Sequence, residues 1–290
     1  MDLLEVKGLT KRYKNFTLQD ITFSLPAGYI MGYIGQNGAG KTTTLHGMTH
    51  LIKVDSGEVT LNGITYREDP VRFKEMIGYI GDETYFPTDL NAGTIRKILK
   101  DFYPSFKAEQ FDAYLQQFRL DPRKKIGDYS RGMKVRLMFA AALSRDTKLL
   151  ILDEATNGLD PIVKEEVLCM LQEYIEDGSR SVLFSTHILS DLEEIADYIC
   201  LIDHGRKILM EEKETLREKY VLVKGGAEEL HTGIGERLIG LKQTLVGFEG
   251  LMESDDTIYL PKNCTVEQPT LQQIMLYCVK DQGGTWNGDH

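Results

Sequence analysis

Short apolar runs recur through the first 210 residues of the chain, and amphipathic segments separate them. An apolar run without polar alternation is typical of a strand buried on both faces of a parallel sheet. Apolar positions three or four residues apart between these runs predict helices. The alternation of strands and helices predicts an α/β fold around a mostly parallel core sheet. The predicted core strands are Tyr29–Ile34, Ile77–Gly81, Leu149–Asp153, Arg180–Ser185, Ile199–Asp203 and Lys207–Met210.

Two further regions of the main domain have different patterns. Leu3–Val6 and Thr17–Leu25 predict an antiparallel pair of strands, and Ser56–Gly63 predicts a strand that ends in an Asn-Gly turn. In the middle of the chain, Asn91–Phe102 and Lys107–Phe118 predict amphipathic helices. We therefore expect an antiparallel β subdomain and a helical insertion at about residues 84–145.

The pattern changes again from about Tyr220, and we expect a main domain at residues 1–217 and a small α+β domain at residues 218–290. The small domain has a regulatory role, a role in dimer contact, or only a structural role as a cap. Its last residues, 281–290 with Trp286, are predicted to be mobile. The predicted strands are Val221–Gly225, Gly250–Ser254 and Thr257–Leu260, and the predicted helices are Glu236–Leu245 and Leu271–Val279.

Composition narrows the possible functions. The net charge of −10 argues against a general nucleic-acid binder, which normally has a basic surface. The chain has no apolar run of about 18 residues that predicts a membrane span, and its start lacks the layout of a signal peptide. The four cysteines stand far apart, and Cys169 and Cys200 lie in segments typical of a buried helix and a buried strand. We expect buried thiols in a reducing compartment.

The most informative stretch fits G-x-x-x-x-G-K-[ST], the phosphate-binding loop. It follows an apolar strand and precedes a predicted helix, Lys41–Leu51, so several backbone N–H groups and the helix dipole point at one small volume. Lys41 is expected to reach the β- and γ-phosphates, and the Thr42 hydroxyl is expected to bind Mg²⁺. The loop residues are Gly35, Gln36, Asn37, Gly38, Ala39, Gly40, Lys41, Thr42 and Thr43.

Carboxylates and a histidine follow two other core strands. Asp153 and Glu154 end the strand at 149–153, and His187 follows the strand at 180–185. Ligands of parallel sheets bind at the carboxyl ends of the strands, so these residues are expected beside the phosphate loop. Asp153 is then a candidate ligand of Mg²⁺, Glu154 a candidate general base and His187 a candidate contact of the γ-phosphate.

Three further features have both a structural and a functional interpretation. Ser130 is a good N-cap before a strong predicted helix, and Gly132 keeps the backbone of its first turn accessible to an anion. Tyr13 is either an ordinary tyrosine or an aromatic that stacks on a nucleotide base. His46 and His50 form H-x-x-x-H without the glutamate of a zinc-protease helix, and we interpret them as structural.

Taken in order, these motifs resemble the nucleotide-binding subunit of an ATP-binding cassette (ABC) transporter over about residues 2–217. Residues 35–43 resemble the Walker A motif, and residues 149–153 resemble Walker B with Glu154 as catalytic glutamate. Residues 157–160 resemble the D-loop, His187 the switch histidine and Tyr13 the adenine-stacking aromatic. The resemblance implies a P-loop NTPase ABC cassette with an antiparallel β subdomain and a helical subdomain.

Two positions depart from the family pattern. The signature, usually Leu-Ser-Gly-Gly-Gln, is Tyr-Ser-Arg-Gly-Met at residues 129–133, where Ser130 and Gly132 are kept and Arg131 and Met133 are not the usual residues. Asp82 stands where the family has the Q-loop glutamine, and its oxygen is a candidate Mg²⁺ ligand. The signature variant resembles the bacterial branch of bacitracin-type and antimicrobial-peptide exporters.

The resemblance implies a head-to-tail dimer of two identical or two different nucleotide-binding subunits, with ATP and Mg²⁺ between them. It also implies a separate integral membrane subunit that docks near residues 82–102, so the chain is expected in the cytoplasm, peripheral on the inner face of the plasma membrane. Transport is expected to be export of a peptide or antimicrobial-type compound. Two other functions stay open, a soluble ABC ATPase acting on nucleic acid or ribosomes and a nucleotide sensor with low turnover.

Overall fold

The computed structural model describes residues 2–281 and 283, with His231 described by its backbone only. A six-stranded sheet forms the centre of the main domain, in the order β10-β9-β3-β8-β7-β6. All neighbouring strands in it are parallel except β10, which pairs antiparallel with β9. The strands are β3 (Ile30–Ile34), β6 (Ile77–Gly81), β7 (Leu149–Asp153), β8 (Ser181–Thr186), β9 (Tyr198–Asp203) and β10 (Arg206–Glu212).

Burial explains why these segments form the central strands. Every residue of β3, β7 and β8 is buried, as the unbroken apolar runs predict. The register places Asp153 opposite Gly81 on one side and opposite Ser185 on the other. The carboxyl ends of three neighbouring strands therefore meet at one edge of the sheet.

A second, antiparallel sheet covers the start of the chain, in the order β2-β1-β4-β5. Its hydrophobic side packs against the central sheet in one cluster that includes Leu4, Ile21, Met31 and Leu183. This sheet confirms the predicted antiparallel subdomain. Its strands are β1 (Asp2–Arg12), β2 (Thr17–Pro26), β4 (Ser56–Leu61) and β5 (Ile64–Thr65).

The helices predicted at residues 41–51, 91–102 and 107–118 are present apart from their ends, whereas helices at 189–195 and 213–219 were not predicted. Asn91 caps α3 and Ser130 caps α5, each by accepting a hydrogen bond from a backbone N–H of the first turn. The helices are α1 (Lys41–Met48), α2 (Pro70–Glu75), α3 (Ala92–Phe102), α4 (Ala108–Gln117), α5 (Arg131–Leu143), α6 (Pro161–Ile175), α7 (Leu189–Ile195) and α8 (Lys213–Lys219). None of the helices within residues 2–281 is long and apolar enough to cross a bilayer.

The C-terminal part contains a third sheet, in the order β12-β13-β11-β14, and a final helix. Two predictions here are wrong. Residues 236–245, predicted as a helix, form the end of a short 3-10 helix and a strand, and residues 257–260, predicted as a strand, lie largely in another 3-10 helix. The elements are β11 (Tyr220–Gly225), β12 (Ile239–Gln243), β13 (Phe248–Glu253), β14 (Thr265–Glu267) and α9 (Leu271–Asp281).

The reason for the first error is a close backbone approach. At Gly240 the φ angle is +65°, and an added Cβ would stand 2.7 Å from the Cα atom of Tyr277 in α9. Only glycine fits there, because any side chain would overlap the backbone of α9. The packing of the chain at Gly240 against α9 therefore favours the strand over the predicted helix. The domain boundary near residue 217 stays a prediction, because buried residues of α9 such as Ile274 share one hydrophobic cluster with Leu192 of α7. The predicted mobile tail with Trp286 lies outside the described residues, apart from Asp281 and Gly283.

One cysteine is not where its segment predicts. All four cysteines are free thiols, and Cys200 and Cys278 are buried. Cys169 is exposed on α6, although we expected it on a buried helix. The helix is amphipathic, and its buried positions are Val163, Val167, Leu168, Leu171 and Tyr174, which leaves Cys169 facing away from the core.

Candidate active site

The phosphate loop connects β3 to α1 and lines a cavity of about 410 Å³. Gly40 begins the helix with a φ angle of +109°, a conformation that side chains rarely adopt, and an added Cβ there would stand 2.9 Å from the ring of Phe16. The cavity is lined by Phe16, Gln36, Asn37, Gly38, Gly40, Lys41, Thr42, Thr43 and Glu154. The predicted loop residues Gly35 and Ala39 lie behind this surface, where Ala39 is buried.

Lys41 is the buried cation of the site, with 6% of its surface exposed. Its ammonium donates to the carbonyl oxygens of Gly35 at 2.7 Å and Gln36 at 3.3 Å. It also lies 3.0 Å from Oε1 of Glu154. A buried charge held by backbone carbonyls and one carboxylate is well placed to bind an anion that enters the cavity.

Glu154 is the point at which the predicted catalytic residues meet. Its Oε2 accepts a hydrogen bond from Asn157 Nδ2 at 2.6 Å and lies 2.7 Å from His187 Nδ1. Burial raises the pKa of this carboxyl, but the ammonium of Lys41, with Asn157 and His187, outweighs burial and holds the pKa below its ordinary value. Glu154 is therefore ionised at neutral pH and able to accept a proton.

Asp153 is buried beside Glu154, and the partners of its two oxygens differ. Oδ2 accepts a hydrogen bond from the hydroxyl of Tyr79 at 3.0 Å. Oδ1 is buried without a hydrogen-bond partner among the described residues, and so is Oγ of Ser185 on the neighbouring strand. Buried polar atoms normally have a partner, so these two oxygens are candidate ligands of a cation at this edge of the sheet.

Asp82 lies at the same edge, since it follows Gly81, which pairs with Asp153. Its side chain is exposed, and Oδ1 accepts a hydrogen bond from the backbone N–H of Glu83 at 2.8 Å. It is not among the residues that line the cavity within residues 2–281. Its proposed role as a metal ligand is therefore supported by its position at this edge only.

The signature residues lie on a different part of the surface. Ser130 is exposed and caps α5 by accepting a hydrogen bond from Met133 N at 3.3 Å. Gly132 follows in the first turn, against Val163 of α6. The guanidinium of Arg131 lies near Gly158 in the turn before α6. Within the described part of the chain, neither Ser130 nor Gly132 lines the cavity of the phosphate loop.

Sequence reasoning missed three side chains at the site. Phe16 lines the cavity, whereas Tyr13, the predicted base-stacking residue, is 48% exposed with its ring 6.5 Å from that of Phe16. Tyr79 and Ser185 flank Asp153. Tyr79 and Ser185 lie in apolar strands, and the sequence pattern therefore predicts only that they belong to the core. The register of the sheet is needed to show that both lie next to Asp153.

Three comparisons with known proteins identify the family. The model of the ABC transporter family matches residues 18–157. A bacitracin transport ATP-binding protein of Enterococcus faecalis is 35% identical over 209 residues, which are 71% of this chain and 68% of that protein. The ABC-type transporter ATP-binding protein EcsA of Bacillus subtilis is 31% identical over 237 residues, 80% of this chain and 96% of that protein.

Solved structures agree with these relatives. The structure of an ATP-binding subunit of an ABC transporter matches with a TM-score of 0.69 and 28% identity, over 74% of this chain and 92% of that one. These relatives favour a transporter subunit over a soluble ABC protein acting on nucleic acid and over a sensor with low turnover. The predicted fold class is confirmed. The chain belongs to the ABC transporter family, as an ATP-binding subunit that hydrolyses ATP to drive transport.

Proposed function

We propose that the chain hydrolyses ATP with Lys41, Glu154 and His187 while a second nucleotide-binding subunit covers the nucleotide. One observation carries this proposal: side chains from three separate segments, Lys41, Asn157 and His187, converge on the carboxylate of Glu154. Such convergence on one ionised group is typical of a catalytic base with its orienting partners.

Each residue then has a distinct task. A triphosphate in the cavity competes with Glu154 for the ammonium of Lys41, because both are anions within reach of one buried cation. Once Lys41 binds phosphate, Glu154 is available to orient the attacking water and accept its proton. His187 is well placed to contact the γ-phosphate, since its ring is already fixed beside Glu154.

Residues at the edge of the sheet and at the start of α1 fit Mg²⁺. Asp153, Ser185 and Thr42 offer one carboxylate and two hydroxyl oxygens, the hard ligands this ion prefers. No cluster of three His, Cys, Asp or Glu side chains within the described residues holds a metal by itself. That agrees with an ion that takes many of its ligands from phosphate and water. When bound, Mg²⁺ would neutralise charge on the transferred phosphate.

Ser130 and Gly132 are proposed to bind the γ-phosphate of the ATP that is held in the phosphate loop of the other subunit. They stand at an exposed helix start outside their own chain's cavity, so they need a second molecule to supply a nucleotide. Two copies placed head to tail complete two sites at once. Whether both subunits are this chain or one is a homologue is decided by the experiment below.

We further propose that the subunit works on the inner face of the plasma membrane with a separate integral membrane subunit, docked near residues 82–102. The relatives named for bacitracin transport support export of a peptide or antimicrobial-type compound. The C-terminal part, residues 218–290, is proposed as an accessory domain. The hydrophobic cluster it shares with α7 supports the role of a cap on the main domain.

The test is Glu154→Gln, which keeps the shape of the side chain and removes the base. We expect turnover to fall by ~10²- to 10⁴-fold with ATP still bound, because a positioned general base contributes about that much. We also expect the variant to dimerise in ATP, measured by light scattering beside a phosphate-release assay. Glu173→Gln, an exposed change on α6, is the matched control.

Unchanged turnover in Glu154→Gln would remove Glu154 from the mechanism. Loss of turnover without a dimer in ATP would contradict the pairing of two copies of this chain and leave a heterodimer with a homologous subunit. A variant that no longer binds ATP would show that Glu154 shapes the cavity rather than the reaction.

A further inference from the structure

The hydroxyl of Tyr79 joins two elements of the site that the sequence motifs do not connect. Tyr79 lies on β6, and its hydroxyl is 3.0 Å from Oδ2 of Asp153 on β7 and 3.2 Å from Nε2 of His46 on α1. The three side chains form a short chain of hydrogen bonds from α1 across two strands.

The direction of these hydrogen bonds follows from their chemistry. A tyrosine phenol carries its hydrogen at neutral pH, so Tyr79 has one O–H to donate. A carboxylate only accepts, so the single hydrogen of the phenol points to Asp153. The phenolic oxygen is then left to accept, which requires that His46 carry its proton on Nε2.

The hydrogen bond to Tyr79 occupies only one oxygen of Asp153. Oδ1 is left buried without a partner among the described residues, and so is Oγ of Ser185, the residue that pairs with Asp153 on β8. The carboxylate is therefore fixed at one oxygen and open at the other. This is the arrangement that outer-shell partners give to the carboxylate ligands of metal ions.

We infer that Tyr79, held by His46, is a positioning residue that orients Asp153 for Mg²⁺. This inference rests on the proposed magnesium site. Without the phenol, the Asp153 carboxylate is free to rotate and to present either oxygen, so the ion binds more weakly. Nucleotide binding through Lys41 and the loop backbone is expected to stay unchanged, since the hydroxyl of Tyr79 bonds to Asp153 and His46 instead.

The test measures metal-dependent binding rather than turnover. A fluorescent, non-hydrolysable ATP analogue at fixed concentration is titrated with MgCl₂ on the full-length chain, and bound nucleotide is followed by anisotropy. We expect Tyr79→Phe to raise the Mg²⁺ half-saturation by ~10-fold, since the loss of an outer-shell partner typically costs 10- to 100-fold in metal affinity. Affinity for the analogue in EDTA is expected to equal that of the wild type.

Tyr174→Phe is the matched control. It also removes a tyrosine hydroxyl from a buried hydrogen bond, 3.1 Å to Thr147, which precedes β7, whereas Asp153 ends that strand. A general loss of packing would change both variants alike. Thermal unfolding of both variants reports that loss separately.

Each outcome decides between the two proposals. If binding of the analogue to the wild type does not depend on the Mg²⁺ concentration, the proposed magnesium site is overturned. The role of Tyr79 is then overturned as well. A Mg²⁺-dependent wild type with an identical Tyr79→Phe would overturn only the role of Tyr79. Equal shifts in Tyr79→Phe and Tyr174→Phe, or weaker binding of Tyr79→Phe in EDTA, would also overturn that role.

Discussion

The phosphate-loop side of the molecule comprises residues 35–43 with Glu154 and His187, and the signature side comprises residues 129–133. They differ in whether one chain alone supplies the whole binding site. On the phosphate-loop side, buried Lys41 is tied to Glu154, which is tied in turn to Asn157 and His187. On the signature side, Ser130 is exposed and its hydroxyl oxygen accepts a hydrogen bond from its own helix, whose first turn is only partly buried. The first side holds the residues that we propose for hydrolysis, whereas the second holds a proposed anion site that lies outside the cavity of its own chain. The difference argues that the second side serves another subunit.

The largest expected effect is on turnover, when one variant is altered on the phosphate-loop side, a second is altered on the signature side, and the two are mixed. Lys41→Ala is expected to weaken ATP binding by ~10- to 100-fold, because a hydrogen bond to a charged group contributes about 1.5–3 kcal/mol. Ser130→Asp keeps a good N-cap and places a negative charge against the phosphate. Each variant alone is expected to lose turnover. A mixture of the two is expected to recover it, because one composite site in the mixed dimer is intact.

The matched control is a mixture of Lys41→Ala with Glu154→Gln. Both changes lie on the phosphate-loop side, so neither site of the mixed dimer is intact and no recovery is expected. Phosphate release measured over a range of mixing ratios separates the two mixtures. Recovery in both, or in neither, would contradict the assignment of the two sides to different subunits.

A smaller effect concerns the nucleotide base, which we assign to the phosphate-loop side. Tyr13→Ala is expected to weaken ATP binding by about tenfold, near the lower end of the ~1–3 kcal/mol that stacking on a base contributes, because Tyr13 is half exposed. Binding of inorganic triphosphate, which has no base, is expected to stay unchanged. Phe16→Ala provides the comparison, since Phe16 lines the cavity itself. If only Phe16→Ala weakens ATP binding, the aromatic contact belongs to Phe16.

The smallest effect concerns the free energy of unfolding, to which the ionised Glu154 on the phosphate-loop side is expected to contribute. The pKa of Glu154 is held below its ordinary value of 4.5, so its ionised form stabilises the fold above that pH, and this contribution is lost as the pH falls through the lowered pKa. Glu154→Gln is therefore expected to reduce the free energy of unfolding by about 1–3 kcal/mol at pH 7. The difference from wild type is expected to shrink below pH 4.5. Chemical denaturation at several pH values measures it.

Exposed Glu173 again provides the control, because Glu173→Gln is expected to change stability little at any pH. A Glu154→Gln variant as stable as wild type at pH 7 would show that the ion pair with Lys41 does not stabilise the fold. A difference that grows as the pH falls would reverse the sign that the lowered pKa requires.

Much of the main domain was predictable because its local patterns and its tertiary structure agree. The fully apolar runs at 30–34 and 149–153 are strands of the central sheet, and Asn91 and Ser130 cap helices as their sequence predicts. The C-terminal part was harder because its structure depends on long-range contacts. Gly240 lies in a strand rather than a helix because the backbone of α9 packs against it.

The site divides in the same way. The phosphate loop, Asp153, Glu154 and His187 were predicted from motifs and strand ends, and the structure brings them to one edge of the sheet. The ion pair of Lys41 with Glu154 and the hydrogen bond of Tyr79 to Asp153 were not predicted. Each joins residues more than 70 positions apart in the chain, and only the order of the strands brings them together.

The backbone at Glu154 has a φ angle of +55°, in the left-handed region that residues with a Cβ adopt at a cost of roughly 1–2 kcal/mol. Its N–H is anchored to the carbonyl oxygen of Ser185 at 3.0 Å, so the neighbouring strand enforces this geometry. Glycine would relax the backbone there and delete the carboxylate. A more stable backbone and the proposed catalytic role of Glu154 therefore favour different residues at this position, and the residue present is the one that the proposed role requires.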